Sequence, residues 1–140
     1  MNTIEKTIFE QPPDVEVLFE FNGRRKTHAA NGYRPTHLVT NDYLTTGVHH
    51  YYNVNAVAPN GTARGTITFL SPEAYPHSLW VGKKINIQEG ERVVGYATII
   101  KIFNSLLDSM AFWTTLSFAL YPIVSPQGPA SIIKLPLSKV

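Results

Sequence analysis

Apolar and polar side chains alternate in a series of short runs through the first 103 residues. In residues 15–21, Val, Val, Phe and Phe share one face of a predicted strand, while Glu16 and Glu20 lie on the other face. Asn-Gly pairs, which tolerate the positive φ angles of tight turns, separate such runs. The alternation predicts six strands with no periodic helix between them, at residues 15–21, 33–40, 48–57, 66–70, 79–87 and 92–103. Six short strands joined by turns indicate an all-β domain, either a small antiparallel barrel or a sandwich.

The last predicted strand is the longest, and its pattern makes two further predictions. Alternation places Val94, Tyr96, Ile100 and Ile102 on one side of it. Gly95 lies inside the strand, where a glycine indicates close approach of another backbone or a sharp bend.

Composition limits the class of protein. A chain of 140 residues is about one domain, and the absence of cysteine excludes disulfides and thiolate metal sites. The net charge of +2 is too small to indicate nucleic-acid binding by itself. Residues 1–20 hold one lysine against five acidic residues, whereas the rest holds eleven basic against five acidic residues. The N-terminus shows no basic stretch followed by a long apolar run, so a cytoplasmic location is expected.

The character of the sequence changes after residue 103. Ser105 has the position of a helix N-cap with Asp108 able to reach back, which predicts a helix over residues 106–121 that ends at Pro122. Such a helix, apolar almost all round, would be roughly 24 Å long, short of the ~30 Å core of a bilayer. We therefore expect it to pack over a barrel end or to mediate self-association rather than to span a membrane. A proline-rich tail follows it.

Two segments resemble the third, C-terminal domain of elongation factor Tu. Residues 31–35, Asn-Gly-Tyr-Arg-Pro, are similar to the stretch that opens the second strand of that domain. Residues 85–95, Ile-Asn-Ile-Gln-Glu-Gly-Glu-Arg-Val-Val-Gly, resemble its final hairpin. Asp42 to Gly47 is similar to the family's Thr-Asp-Val-Thr-Gly with one extra residue, and Pro72 falls where a family proline follows the penultimate strand.

The resemblance implies a closed, six-stranded antiparallel β-barrel over residues 13–103. It would be preceded by a leader at residues 1–12 and followed by the apolar helix and tail at residues 104–140. The chain would then be a free-standing copy of a domain that is one part of a larger factor in the family.

Motifs for catalysis are missing from the sequence. The phosphate-binding pattern G-x-x-x-x-G-K-[ST] does not occur, and its nearest approach, residues 82–85, lacks the hydroxyl residue and the earlier glycine. Neither a G-x-S-x-G elbow nor an H-E-x-x-H pair is found. We therefore expect a binding module that is not an enzyme, with no nucleotide and no other cofactor.

The five histidines do not form an obvious metal site. His49 and His50 are adjacent on a predicted strand, so their side chains point to opposite faces. His37 and His49 could meet across strands, but no carboxylate or third histidine stands with them in the pattern. No metal is therefore expected.

In elongation factor Tu this domain contacts the T-arm of transfer RNA, and the resemblance implies which residues correspond. Glu89 and Gly90 match the hairpin tip that reaches the T-stem, where a carboxylate can accept hydrogen bonds from 2′-hydroxyl and guanine amino groups. One of the two arginines that follow Gly23 matches a basic residue beside the RNA backbone. Thr36 replaces a family glutamine, and Thr46 matches a threonine. The candidate RNA- or partner-binding residues are Arg24, Arg25, Arg34, Thr36, Thr46, Glu89, Gly90 and Arg92.

The hairpin tip departs from the family pattern. Gln88 replaces an arginine and Glu91 replaces a glycine, which makes the tip two charges more negative and opposes phosphate binding. Ala29 and Ala30 replace two phenylalanines of the preceding loop.

These features favour a protein-interaction module related to translation. Its partners would be proteins that recognise the factor, such as its exchange factor or toxins that target translation, and self-association through residues 106–121 is a further expectation. The alternatives are a module that binds transfer RNA weakly and a degenerate fragment that keeps the fold without activity.

Overall fold

The computed structural model describes residues 11–110, and their secondary structure is almost entirely β. The strands are β1 (Val15–Phe21), β2 (Ala29–Ala30), β3 (Thr36–Thr40), β4 (Tyr43–Tyr51), β5 (Ala56–Val57), β6 (Thr62–Phe69), β7 (Lys84–Glu89) and β8 (Arg92–Ile102). Six of them close an antiparallel barrel in the order β1-β6-β4-β3-β7-β8, and β2 pairs with β5 in a separate two-stranded sheet. The predicted all-β, six-stranded, closed antiparallel barrel is confirmed.

Some strands begin or end at other residues than predicted. The differences occur at turns that the alternation of apolar and polar residues does not reveal. The predicted strand over residues 48–57 is wrong, because β4 ends at Tyr51 and Asn53, at φ 64°, turns the chain before β5. β7 begins at Lys84 and not at residue 79, since Gly82 adopts φ 96° in a turn just before it. β3 begins after Pro35, which has no N–H to donate to a ladder.

Two irregularities in β8 change which of its residues face the core. Gln88 pairs with Val93 while Ile87 pairs with Gly95, so Val94 is an inserted residue. A second shift occurs between Glu16 and Val17 of β1, whose partners are Lys101 and Ile99. The buried residues of β8 are therefore Val94, Gly95, Ala97 and Ile99. The prediction that Val94, Tyr96, Ile100 and Ile102 share one side is wrong, because each bulge shifts the alternation by one residue.

Two strand glycines allow neighbouring backbones to come close together. A Cβ atom on Gly95 would lie 2.7 Å from the carbonyl oxygen of Glu20, and one on Gly65 would lie 2.1 Å from that of His50. The close approach predicted for Gly95 is confirmed. A side chain at either position would push apart two paired strands.

The barrel has two ends that differ in their connections. At end A the strands are joined by residues 22–35, 52–61 and 90–91; at end B they are joined by residues 41–42 and 70–83, and residues 103–110 pack beside them. The aliphatic and aromatic core fills the space between these ends. Tyr75, Leu79 and Leu107, all buried, close end B from inside.

The predicted helix does not begin at residue 106, because the described chain becomes α-helical only at Ser109 and Met110. Ser105–Leu107 is a single 3₁₀ turn, in which the Asn104 side chain, and not Ser105, accepts a hydrogen bond from the Leu106 amide. Asp108 is extended because it bridges Leu79 in parallel fashion. A helix that begins at residue 106 is therefore wrong, while residues 111–121 and the proline-rich tail, like most of the predicted leader, lie outside the described residues. Within residues 11–110, no helix has the length and apolarity needed to cross a bilayer.

Candidate functional site

The loop that follows β1 is built around its Asn-Gly turn. Gly23 adopts φ 88°, and the Asn22 side chain accepts a hydrogen bond of 3.0 Å from the Arg24 amide, which fixes the turn. The side-chain amide of Asn22 also donates to the Val93 carbonyl oxygen at 2.9 Å, so the loop is tied to β8. The loop therefore enters end A in one defined direction.

Arg25 holds the rest of this loop in place. Its guanidinium donates to the Thr27 carbonyl oxygen at 3.2 Å, to the Thr27 hydroxyl at 3.1 Å and to the His28 carbonyl oxygen at 3.1 Å. It also bonds to the Glu89 carboxylate and lies 4.4 Å from the centre of the Tyr33 ring. Four of its five N–H groups have partners within the protein, so Arg25 is a positioning residue.

Glu89 is the centre of a polar cluster at the tip of the β7–β8 hairpin. Besides Arg25, it accepts a hydrogen bond of 2.6 Å from the Tyr33 hydroxyl and one of 2.9 Å from Arg92. Partial burial opposes ionisation of Glu89, but the hydrogen bonds from Tyr33, Arg25 and Arg92 outweigh it and hold the pKa of the carboxyl below its usual value. Glu89 is therefore ionised at neutral pH and ties residues 22–35 to the β7–β8 hairpin.

The two predicted threonines lie on the strands beside this hairpin. Thr36 of β3 pairs with Thr46 of β4 on one side and with Gln88 of β7 on the other. The Thr36 hydroxyl donates to the Gln88 carbonyl oxygen at 3.1 Å. Gly90, at φ 64°, forms the hairpin tip itself. The structure thus brings Arg25, Thr36, Glu89, Gly90 and Arg92 together at end A. Thr46 lies one strand away, and its carbonyl oxygen accepts from the amide of Leu70 at end B.

The other two predicted arginines, Arg24 and Arg34, belong to the segments of end A and are exposed. Lys26, also exposed, flanks Arg25 on the other side. End A thus carries five cations, Arg24, Arg25, Lys26, Arg34 and Arg92, against two carboxylates, Glu89 and Glu91. Within residues 11–110, Glu89 pairs with Arg25 and Arg92, whereas Arg24 and Lys26 form no ion pair.

A chain of buried hydrogen bonds lies behind this surface. His37 Nε2 is 2.8 Å from His49 Nε2, while His49 Nδ1 is 3.0 Å from the Tyr51 hydroxyl and His37 Nδ1 is 3.4 Å from the Thr45 carbonyl oxygen. His37 and His49 are fully buried, and His50 is exposed. Both predictions about these residues are confirmed: His37 and His49 meet across strands, and His49 and His50 face opposite ways.

The hydrogen bond between His37 and the Thr45 carbonyl oxygen determines the tautomers of both histidines. Because the Thr45 carbonyl can only accept, His37 Nδ1 must donate, and neutral His37 then accepts at Nε2 from His49. His49 accepts in turn at Nδ1 from the Tyr51 hydroxyl. Burial lowers the pKa of His37 to about 4 and that of His49 well below its ordinary value, so both rings are neutral at neutral pH.

Tyr33 connects the buried hydrogen bonds of His37, His49 and Tyr51 to the polar cluster around Glu89. The Tyr33 ring meets the His49 ring edge to face, with centroids 5.3 Å apart, and its hydroxyl bonds to Glu89. Sequence reasoning missed Tyr33 and Tyr51 as members of this network. The signal available for Tyr51 was its spacing: it lies two residues after His49, on the same face of a strand.

The geometry of the two histidines is that of a hydrogen bond and not of metal ligation. Two imidazole nitrogens bound to one zinc ion at 2.0–2.1 Å stand about 3.4 Å apart in tetrahedral geometry, more than the 2.8 Å found here. Within residues 11–110, no group of three or more His, Cys, Asp or Glu side chains is placed to hold a metal ion.

A groove of about 420 Å³ runs along the outer wall of the barrel. It is bordered by the exposed side chains of His50 and Tyr52 and by Thr66 and Thr68 of β6. No Asp, Glu, Lys or Arg is among the residues that line it. His50 therefore faces no carboxylate, lysine or arginine within this groove.

Comparison with protein-family models and with curated protein sequences finds no match.

Proposed function

We propose that this chain is a non-catalytic binding module, and that it engages a protein partner through end A of the barrel. The association with translation rests on the likeness of residues 31–35 and 85–95 to the third domain of elongation factor Tu. The closed, six-stranded antiparallel barrel agrees with that likeness.

The observation that carries the proposal is the ordered surface around Arg25 and Glu89. Tyr33, Arg25 and Arg92 converge on one carboxylate, and this cluster ties the loop after β1 to the β7–β8 hairpin. Arg24 and Lys26, on either side of Arg25, are thereby held on the outside of the loop. A binding surface that is ordered before its partner arrives loses less conformational entropy on association.

The signs of the charges favour a protein over a nucleic acid as the partner. Glu91 is exposed at the hairpin tip beside Glu89, so phosphates laid along the tip would meet negative charge. A protein surface can place cations against Glu91 and carboxylates against Arg24 and Lys26 at the same time.

The exposed cations support RNA as a second candidate partner. Arg24, Lys26 and Arg34 can meet phosphates away from the tip, and Glu89 has acceptor capacity left on the oxygen that bonds to Arg92. Such binding would be weak and would decrease steeply with salt, because few phosphates would be neutralised.

One experiment separates the two candidates. The tagged full-length chain is incubated with bacterial lysate, and retained proteins are identified by mass spectrometry beside a parallel sample treated with ribonuclease. A translation protein retained in both samples, and lost with Arg24→Glu/Lys26→Glu, supports the protein-interaction module. Retention that depends on intact RNA supports the second candidate. If no translation component is retained in either sample, the result supports the third alternative, a fragment that keeps the fold without activity.

A further inference from the structure

Most of the large apolar side chains that are exposed within residues 11–110 lie at end B. Of the ten large apolar side chains exposed within residues 11–110, eight lie at this end. Six belong to its segments, Leu70, Trp80, Val81, Phe103, Leu106 and Met110, and two begin β4, Tyr43 and Leu44. Val81 is 65% exposed and Trp80 is 48% exposed. Hydrogen bonds from the Leu79 amide to the Leu107 carbonyl, and from the Ser109 amide to the Leu79 carbonyl, hold the segments of Trp80 and Met110 side by side. Exposed apolar side chains gathered in this way are typical of an interaction surface.

The connecting segments of end B carry more carboxylates than cations, and the exposed Lys84 and Lys101 lie beside them on β7 and β8. Asp42 and Glu73 are exposed, and Asp108 is half-buried. Lys83 is the one cation in the connecting segments of end B within residues 11–110, and its ammonium group donates to the carbonyl oxygens of Val39 at 2.7 Å and Ser78 at 2.8 Å. It therefore has little capacity left to attract a carboxylate.

The connecting segments of end A and those of end B thus carry opposite net charge. End A has an excess of three cations, of which Arg24 and Lys26 are exposed and form no ion pair with the described residues. It also exposes two large apolar side chains, Tyr52 and Val54, which are 37% and 45% exposed. A surface with acidic and apolar groups is complementary to one with basic and apolar groups.

We propose that end B binds end A of a second copy of this chain, so that the protein associates head to tail. In this arrangement Asp42 and Glu73 face Arg24 and Lys26 of the neighbouring copy. An interface between two different surfaces gives a ring when the rotation between copies closes and an open chain when it does not, so a dimer is not its end point. The proposal does not depend on the translation partner, because it is tested with the purified chain alone.

Self-association at end A would also compete with partner binding. Arg24 and Lys26 cannot serve both a second copy and a different protein at the same time. High concentration of the chain would therefore reduce the number of sites open to the partner.

The test is sedimentation velocity of the purified full-length chain over a range of concentrations, at low and high salt. We expect species larger than a dimer, in equilibrium with the monomer and reduced by salt. Asp42→Lys/Glu73→Lys and Arg24→Glu/Lys26→Glu should each weaken association by about tenfold or more, because like charges then meet across the interface. Arg64→Gln, on the outer wall between the two ends, is the control and should leave association unchanged.

The combined variant makes the test specific to contact between the two ends. A chain that carries both pairs of reversals again presents opposite charges at its ends, so association should recover toward that of the wild type. A circular dichroism spectrum and an unfolding curve for each variant show that the barrel is intact. A monomer at all concentrations would overturn the proposal. So would association that withstands both reversals, which would place the contact outside the two ends.

Discussion

Tyr33 donates a hydrogen bond of 2.6 Å to Glu89 across end A, and this contact joins the segment before β3 to the β7–β8 hairpin. Both side chains are partly buried, so neither group can exchange its partner freely for water. Arg25 completes the arrangement because it bonds to the same carboxylate and covers the Tyr33 ring. The candidate surface therefore depends on a small number of identifiable interactions.

Removal of the Tyr33 hydroxyl should destabilise the protein. Hydrogen bonds to charged groups contribute about 1.5–3 kcal/mol, so Tyr33→Phe should lower the free energy of unfolding by about 2 kcal/mol in urea denaturation at pH 7. Tyr52→Phe is the matched control, since its exposed hydroxyl lies 3.4 Å from Glu16, and it should cost about 0.5 kcal/mol or less. If the two variants lose the same free energy of unfolding, the Tyr33–Glu89 hydrogen bond contributes no more to stability than the exposed Tyr52–Glu16 contact.

Arg25 and Arg24 should behave differently although they are adjacent. Arg25→Ala leaves Glu89 with fewer donors and frees the loop, so we expect a loss of stability of about 1–3 kcal/mol. Arg24→Ala removes an exposed side chain and should change stability by about 0.5 kcal/mol or less while it weakens partner binding. Urea unfolding followed by fluorescence gives the first quantity for both variants. A loss for Arg24→Ala as large as that for Arg25→Ala would contradict these roles.

The buried histidines make stability depend on pH. In the unfolded chain a histidine takes up a proton near pH 6.5, whereas His37 in the barrel does so only near its pKa of about 4. Acid therefore favours the unfolded state: the contribution of His37 is complete above about pH 6.5 and is lost as the pH falls toward 4. Between pH 7.5 and 5, we expect His37 alone to cost about 2 kcal/mol of stability.

Urea denaturation at several pH values checks this prediction. His37→Gln should be less stable than wild type at pH 7.5, because its partner His49 loses a hydrogen bond, but should show a shallower decrease with acid. His50→Gln changes an exposed histidine next to His49 and should keep the wild-type pH dependence. If His37→Gln and wild type lose stability in parallel, His37 is not the source of the acid sensitivity.

Gly95 should tolerate no larger residue. In Gly95→Ala the new Cβ would lie 2.7 Å from the Glu20 carbonyl oxygen and 3.0 Å from the Phe21 Cα, both of which belong to backbone that cannot rotate away. Overpacking of this kind typically costs about 1–3 kcal/mol, and we expect a value at the upper end. Gly61→Ala is the control, because its nearest contact is 3.3 Å from the Val57 side chain. Thermal unfolding of the two variants should rank Gly95→Ala as the less stable.

The sequence predicts the barrel well because its main signal is local. Alternation in residues 15–21 and the turn glycines are properties of neighbouring residues, and the structure has a strand at Val15–Phe21 and positive φ at Gly23, Gly32 and Gly90. The bulge at Val94 is not local in this sense, because it arises from the register of β8 against β7. The sequence therefore could not reveal which side chains of β8 face the core.

The candidate site was predictable by residue but not by role. Arg24 and Arg25 are equivalent in a linear sequence, and only the fold shows that Arg25 bonds to Glu89 while Arg24 remains exposed. The contrast between the two ends also depends on topology, since Trp80, Leu44 and Met110 are far apart in sequence. Antiparallel closure brings them to one end of the barrel.

The most direct test of the binding surface compares the partner affinity of a variant at end A with that of a variant on the outer wall of the barrel. Once a translation protein is identified by capture, its affinity is measured by isothermal titration calorimetry for wild type, for Arg24→Gln/Lys26→Gln and for Arg64→Gln. We predict that the end A variant binds about tenfold or more weakly, while Arg64→Gln binds like the wild type. Equal affinity of all three proteins would contradict the assignment of end A as the binding surface.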